Sequence, residues 1–158
     1  MKKIFTSLLV SAMILCNGMM AVSALSKDES YTAAKNYYGQ KTELNSADEV
    51  IAYESLGLQS DSLAIKDVVQ TQYASEIAKT VIALVLHGND PRNYNGVNYV
   101  EMLEKCVQET GAFDKSNTVA YANFQIAGVY ALYVVNSPKA TLAADYLASL
   151  IAQDGSFG

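Results

Sequence analysis

The sequence predicts an all-α fold made of helical hairpins that repeat about every 45 residues. Three apolar helical segments resemble one another: residues 50–57 align with residues 81–88 at a shift of 31, and this second segment aligns with residues 129–132 at a shift of 48. Two helix ends of the form Gly-x-Phe, at residues 111–113 and 155–157, align at a shift of 44. No alternating apolar and polar run is long enough to predict a strand.

Residues 1–24 have the three parts of an export signal peptide. Two lysines near the start are followed by an apolar core at residues 4–15, which is too short to span a membrane. Residues 22–24, Val-Ser-Ala, form a small-residue cleavage site. Lipid anchoring at Cys16 is the weaker alternative, because a bulky leucine precedes the cysteine. We therefore expect residues 25–158 to be secreted, extracellular or held at a bacterial cell surface, with no membrane contact after cleavage.

The mature chain is acidic and carries one cysteine. Without Lys2 and Lys3, nine basic residues face sixteen acidic ones, a net charge of −7. This charge opposes binding to nucleic acid and to anionic lipid. Cys106 is the one mature cysteine, so no internal disulfide can form. The mature chain, residues 25–158, is long enough for one domain with a modest core.

The first half of the mature chain predicts two short helices. The first lies near residues 29–38 and is closed by Gly39. The second opens with Ser46 and Glu49, a capping box in which each side chain accepts from a backbone N–H at the helix start. It ends at Gly57, since glycine adopts the left-handed C′ conformation without penalty. Residues 60–69 read as a shortened or degenerate outer helix.

The second half predicts helices that alternate in character. Residues 71–87 and 118–135 are apolar nearly all round in their second halves, which indicates burial on all sides. Between and after them lie amphipathic helices, one capped by Asn98 and Glu101 and one beginning at residues 137–138, Ser-Pro. Each hairpin thus pairs a buried inner helix with a half-exposed outer helix.

These residues resemble the prenyltransferase and squalene-oxidase repeat, which builds the α/α toroid of terpene cyclases, protein prenyltransferase β-subunits and cobalamin carriers. In that family an outer helix runs into a Gln-x-x-Gly-x-Trp/Phe turn. The structural motif residues here are Gln108, Gly111 and Phe113 with that spacing intact, then Gln153, Gly155 and Phe157 with one residue fewer before the glycine. The resemblance implies that residues 25–158 form part of an α/α toroid that lacks the further repeats needed to close it.

The sequence offers no catalytic constellation. The Asp-rich motif of the cyclases and the thioester segment of other toroid proteins are absent. His87 and Cys106 are isolated as zinc ligands, so we read His87 as a residue at a helix C-terminus and Cys106 as a small buried hydrophobe. We expect no cofactor and no metal site. Asp154 is read as a turn residue.

The resemblance places the mouth of a cavity at the N-terminal ends of the inner helices. Four candidate cavity-lining residues lie there: Tyr73, Tyr121, Asn123 and Gln125. Their hydroxyl and amide groups suit a small polar or sugar-like ligand, although packing with a solvated hydroxyl explains the tyrosines as well.

The sequence therefore predicts a secreted toroid-repeat binding or scaffold module without its own catalytic residues. Two alternatives stay open: a fragment of a terpene cyclase-like or prenyltransferase-like enzyme, and a cobalamin-carrier-like binder of a small ligand. The expected partners are further toroid repeats or a second copy. These would cover an apolar face predicted to be exposed on the last hairpin, made of Val129, Tyr130, Leu132, Tyr133, Leu147 and Ile151.

Overall fold

The computed structural model describes residues 26–59, 64–65, 73–113 and 122–156. It has six helices and one two-stranded sheet in this part of the chain, so the prediction of a predominantly helical protein is confirmed. The elements are α1 (Lys27–Gly39), β1 (Glu43–Leu44), α2 (Ala47–Ser55), β2 (Ala64–Ile65), α3 (Ala74–Leu86), α4 (Tyr99–Lys105), α5 (Ala122–Val134) and α6 (Ala140–Ser149). None of these helices has the length and apolar character to cross a membrane.

The chain divides after Ala34 into two compact units, and all packing described below lies within the second. Helix α1 begins in the first unit with a reciprocal capping box. The Ser26 hydroxyl accepts from the Glu29 N–H at 3.2 Å, and the Glu29 carboxylate accepts from the Ser26 N–H at 2.9 Å. The predicted helix near residues 29–38 is confirmed, and this cap starts it slightly earlier than its apolar pattern indicates.

The N-terminal cap of α2 contains one of the two hydrogen bonds of the predicted capping box. The Ser46 hydroxyl accepts from the Glu49 N–H at 3.2 Å, as predicted. The Glu49 carboxylate, however, accepts from the N–H of Asn45 at 2.7 Å instead of the N–H of Ser46. Its other oxygen lies 2.7 Å from Lys41 Nζ. Glu49 therefore links the N-terminus of α2 to residues 41 and 45, which precede the helix.

Helices α2, α3 and α5 end in the same way. After α3, Gly88 donates to the carbonyl of Val85 at 3.1 Å and Asn89 donates to the carbonyl of Leu84 at 2.8 Å. Equivalent bonds follow α2 at a shift of 31 and α5 at a shift of 48. The residue at the turn has positive φ each time: Gly57 (67°), Gly88 (76°) and Asn136 (52°). The two alignment shifts found in the sequence thus correspond to matching helix ends.

Helix α3 is the centre of the second unit and packs against α2, α4 and α5. Helix α5 packs in turn against α4 and α6. The main core joins α3, α4 and α5 through fully buried side chains such as Val81, Leu103 and Leu132. A second cluster unites Leu44 and Val50 with α3.

The structure describes residues 64–65 of the segment 60–69, and for these residues the prediction of an outer helix is wrong. Residues 64–65 form β2, which pairs in parallel with β1 so that Leu44 lies opposite Ile65. Leu44 is fully buried, and Ile65 packs against the same cluster. Tertiary burial of this short apolar pair therefore outweighs its weak helical pattern.

Candidate functional site

The first Gly-x-Phe motif forms a closed turn after α4, which we call the Gly111 turn (residues 107–113). Val107 and Phe113 form an antiparallel bridge across it. Inside, Gln108 donates to the carbonyl of Ala112 at 2.8 Å, and Gly111 donates to the carbonyl of Gln108 at 3.0 Å. Gly111 has φ of 89°, which favours glycine at this position.

The Gly111 turn touches both helices of the following hairpin. A Cβ atom at Gly111 would lie 2.2 Å from the carbonyl oxygen of Leu142 in α6. The Phe113 ring lies on Gly128 of α5, where an added Cβ would come within 2.3 Å of the ring. Because neither glycine has a Cβ atom, the turn can pack closely against α5 and α6.

The second motif forms a turn of the same hydrogen-bond pattern after α6, the Gly155 turn (residues 151–156). Ala152 donates to the carbonyl of Ser156 at 2.7 Å, and Gly155, with φ of 83°, donates to the carbonyl of Ala152 at 2.9 Å. These bonds repeat those of the Gly111 turn at a shift of 44, so Gln153 takes the position of Glu109 rather than that of Gln108. Phe157 lies outside the described residues.

Asp154 acts as a turn residue, as predicted. Its Oδ1 accepts from the N–H of Ser156 at 2.9 Å and from the Ser156 hydroxyl at 2.7 Å. The hydroxyl, followed by the N–H, lowers the pKa of the Asp154 carboxyl because both bonds favour its charged form.

The Gly155 turn differs from the Gly111 turn in what surrounds it. Among the described residues, a Cβ atom at Gly155 would meet nothing within 4 Å, whereas Gly111 is closely covered by α6. The two glycines have similar positive φ, and within the described residues only Gly111 is covered by a neighbouring helix.

Helices α5 and α6 leave an apolar groove between them with a volume of about 460 Å³. Three large side chains along it are strongly exposed, namely Ile126 (45%), Tyr130 (51%) and Tyr133 (72%). We call the lining the α5–α6 face: Ile126, Val129, Tyr130, Tyr133, Ala140, Thr141, Ala144 and Leu147. Exposed apolar side chains in one contiguous groove are typical of a protein interaction surface.

Of the six residues of the predicted exposed face, Val129, Tyr130, Tyr133 and Leu147 line this groove. Tyr130, Tyr133 and Ile151 are exposed, and Val129 and Leu147 are half-buried. The prediction is wrong for Leu132, which is fully buried because it faces α3 and belongs to the main core.

The four cavity-lining candidates do not meet in one described site. Tyr73 is the N-cap residue of α3 and is about half exposed. Gln125 is fully buried, and its Oε1 accepts from the N–H of Phe113 at 3.4 Å. Tyr121 and the side chain of Asn123 lie outside the described residues. The structure thus associates Gln125 with the Gly111 turn.

The Gln125 side chain is incompletely satisfied. Its Nε2 has no hydrogen-bond partner among the described residues.

The side chains of His87 and Cys106 both make contacts within the fold. His87 Nδ1 lies 2.6 Å from Glu54 Oε1, with side-chain exposures of 10% and 11%, so the pair joins the ends of α3 and α2. Cys106 is buried and its Sγ contacts the carbonyl of Met102 at 3.4 Å, which confirms it as a buried residue. In the described ranges, no three His, Cys, Asp or Glu side chains are grouped to hold a metal ion.

Comparison with family models, curated proteins and solved structures gives no match for this chain.

Proposed function

We propose that this chain is a secreted binding or scaffold module of α/α-toroid repeats, without catalytic residues of its own, that acts by protein association through the α5–α6 face. The observation that carries the proposal is the exposure of Tyr130, Tyr133 and Ile126 along one apolar groove. A contiguous apolar surface of this kind favours contact with another protein over contact with water.

The repeat character of the module is supported by two sets of recurring helix ends. The inner helices α2, α3 and α5 share one hydrogen-bond pattern, which recurs at shifts of 31 and 48. The outer helices α4 and α6 share another, which recurs at a shift of 44. Repeat proteins bury their apolar faces by stacking neighbouring units.

Sedimentation of the mature chain, residues 25–158, tests the proposal. Without its partner, the α5–α6 face should drive self-association that increases with protein concentration. Tyr133→Lys should weaken this association at unchanged helical content, because its side chain is 72% exposed and contributes little to the fold. Tyr37→Lys, at a residue also well exposed but on α1, is the matched control and should leave association unchanged. A monomer at all concentrations would contradict the proposed interaction surface.

A further inference from the structure

We propose that Asn95 and Gly96 form a site of spontaneous covalent modification, at which Asn95 loses ammonia and is converted to aspartate and isoaspartate. The reaction consumes water and needs no enzyme or cofactor. It adds one negative charge to the chain and, in the isoaspartate product, one atom to the backbone. The site lies in the loop between α3 and α4, and neither residue lines the α5–α6 face.

The two residues occupy the centre of a tight hairpin turn. Tyr94 and Val97 pair across it, and the N–H of each donates to the carbonyl of the other at 3.0 Å. Asn95 has φ of 50° and Gly96 has φ of 79°. Positive φ at both central residues is the conformation of a type I′ turn, for which Asn-Gly is a preferred sequence. No other Asn-Gly pair occurs in residues 25–158.

Both reacting groups of this turn are accessible. Asn95 and Gly96 are exposed. Within the described part of the chain, neither the Asn95 side chain nor the Gly96 N–H forms a hydrogen bond. Glycine also has no Cβ atom to obstruct the approach of its nitrogen to the preceding side chain. The nucleophile and the electrophile of the reaction are therefore neighbours, and neither has to give up a hydrogen bond of its own.

The reaction proceeds through a five-membered ring. The backbone nitrogen of Gly96 attacks Cγ of Asn95 and forms a new N–C bond. The bond from Cγ to the amide nitrogen then breaks, and this nitrogen leaves as ammonia with the proton of the Gly96 nitrogen. Water opens the resulting succinimide at Cγ to give aspartate, or at the backbone carbonyl carbon of Asn95 to give isoaspartate. No group is oxidised or reduced, and the attack benefits from the high effective concentration of adjacent groups.

Two other turns show what protects a similar pair of residues. Asn136 also has positive φ, of 52°, but the N–H of Ser137 donates to a carbonyl of α5 at 2.9 Å. Next to Asp154, the N–H of Gly155 donates to the carbonyl of Ala152 at 2.9 Å. In both turns the nitrogen that would attack is already bonded, so its approach to the side chain costs a hydrogen bond.

Conversion to isoaspartate changes the loop that precedes α4. The product carries its backbone through Cβ and Cγ, so the turn gains one atom and no longer fits the pairing of Tyr94 with Val97. Both of these side chains are partly buried against the main core. The next residue, Asn98, caps α4 by accepting from the N–H of Glu101. We therefore expect the isoaspartate form to unfold at a temperature about 2–5 °C below that of the parent.

Incubation of the mature chain in water enriched in heavy oxygen tests the site. Mass spectrometry of proteolytic peptides measures the label, peptide fragmentation assigns it to a residue, and chromatography separates isoaspartate from aspartate. At neutral pH we expect Asn95 to gain one heavy oxygen at least about tenfold faster than Asn136. Asn95→Gln should remove the signal at this position, because the longer side chain has to form a six-membered ring.

Asp154→Asn provides a matched control, because it creates the same dipeptide in an exposed turn whose glycine has a similar positive φ. The N–H of Gly155 is bonded, so conversion at position 154 should be at least about tenfold slower than at Asn95 in the same molecule. In concentrated urea, which unfolds both turns, the two rates should become similar.

Two results would overturn the proposal. Equal rates at positions 95 and 154 in the folded chain would mean that the dipeptide sequence, and not the free Gly96 N–H, determines the reaction. Conversion of Asn95 in urea but not in the folded chain would mean that the native turn protects this side chain.

Discussion

Glu49 is the residue whose titration most clearly links local structure to the pH dependence of stability. The N–H of Asn45 and then the ammonium of Lys41 hold its pKa below the ordinary 4.5, because both favour the charged form. A carboxyl whose pKa is lowered on folding stabilises the protein above its unfolded pKa, and this stabilisation is lost as the pH falls through the folded pKa.

We predict that Glu49→Gln lowers the free energy of unfolding by about 0.5–1 kcal/mol at pH 7, a value reduced for partial exposure. The difference from the parent should shrink steadily below pH 4.5, where the carboxyl of the parent also becomes neutral. Urea titrations at pH 7 and pH 3 measure it. Asp48→Asn is the control, since the Asp48 contact with Lys79 is exposed and should contribute little. An effect of Glu49→Gln that is equal at both pH values would contradict the charge-based account.

Cys106 provides a second prediction for a single residue. Its thiol is buried among the residues of the main core, so labelling of the native protein should be slow and should accelerate on unfolding. Cys106→Ala should cost roughly 1 kcal/mol through the lost packing, and Cys106→Asp considerably more because it buries a charge. Rapid labelling of the folded chain, or loss of a bound zinc ion from Cys106→Ser, would show that the thiol has another role.

At the scale of elements, Gly111 and Gly155 form a natural matched pair. Both have positive φ, so alanine strains the backbone to a similar degree at each. Only Gly111 would bring the new methyl group against the backbone of α6. We predict that Gly111→Ala destabilises the chain by about 1–3 kcal/mol more than Gly155→Ala, as expected for overpacking. Thermal unfolding of the two variants measures the difference, and equal losses would mean that the Gly111 turn does not fix the position of α6.

The ends of the elements are the best predicted part of the fold, because they depend on a few neighbouring residues. Gly57 and Gly88 close their helices through positive φ, and Asn98 caps α4 by accepting from the N–H of Glu101 at 3.0 Å. These interactions are encoded within about four residues of sequence and need no tertiary information.

Contacts between elements that lie far apart in the sequence could not be predicted in the same way. The burial of Gln125 depends on Phe113, and the contact of Glu54 with His87 spans two helices. The pairing of residues 43–44 with residues 64–65 joins segments that are remote in the sequence. Such contacts follow from the packing of α2, α3 and α5, which the local pattern of apolar residues does not determine. The Gly-x-Phe motif is recognisable in the sequence, but its partner Gly128 is identifiable only through the tertiary contact.

At the scale of the whole molecule, the remaining prediction concerns export. The basic start, short apolar core and small residues at 22–24 predict cleavage after Ala24. N-terminal sequencing of the exported protein should therefore begin at Leu25. A product that starts at a lipidated Cys16, or a cytoplasmic product that retains Met1, would contradict the prediction.

The packing order of the helices has a consequence for how the second unit acquires its structure. The main contacts of α3 are with α2, α4 and α5, and those of α5 are with α3, α4 and α6, so partners are next or next but one along the chain. Such short-range topology lowers the entropy of loop closure that folding must overcome and favours rapid folding. Helix α2 can therefore close onto α3 before α5 and α6 are in place.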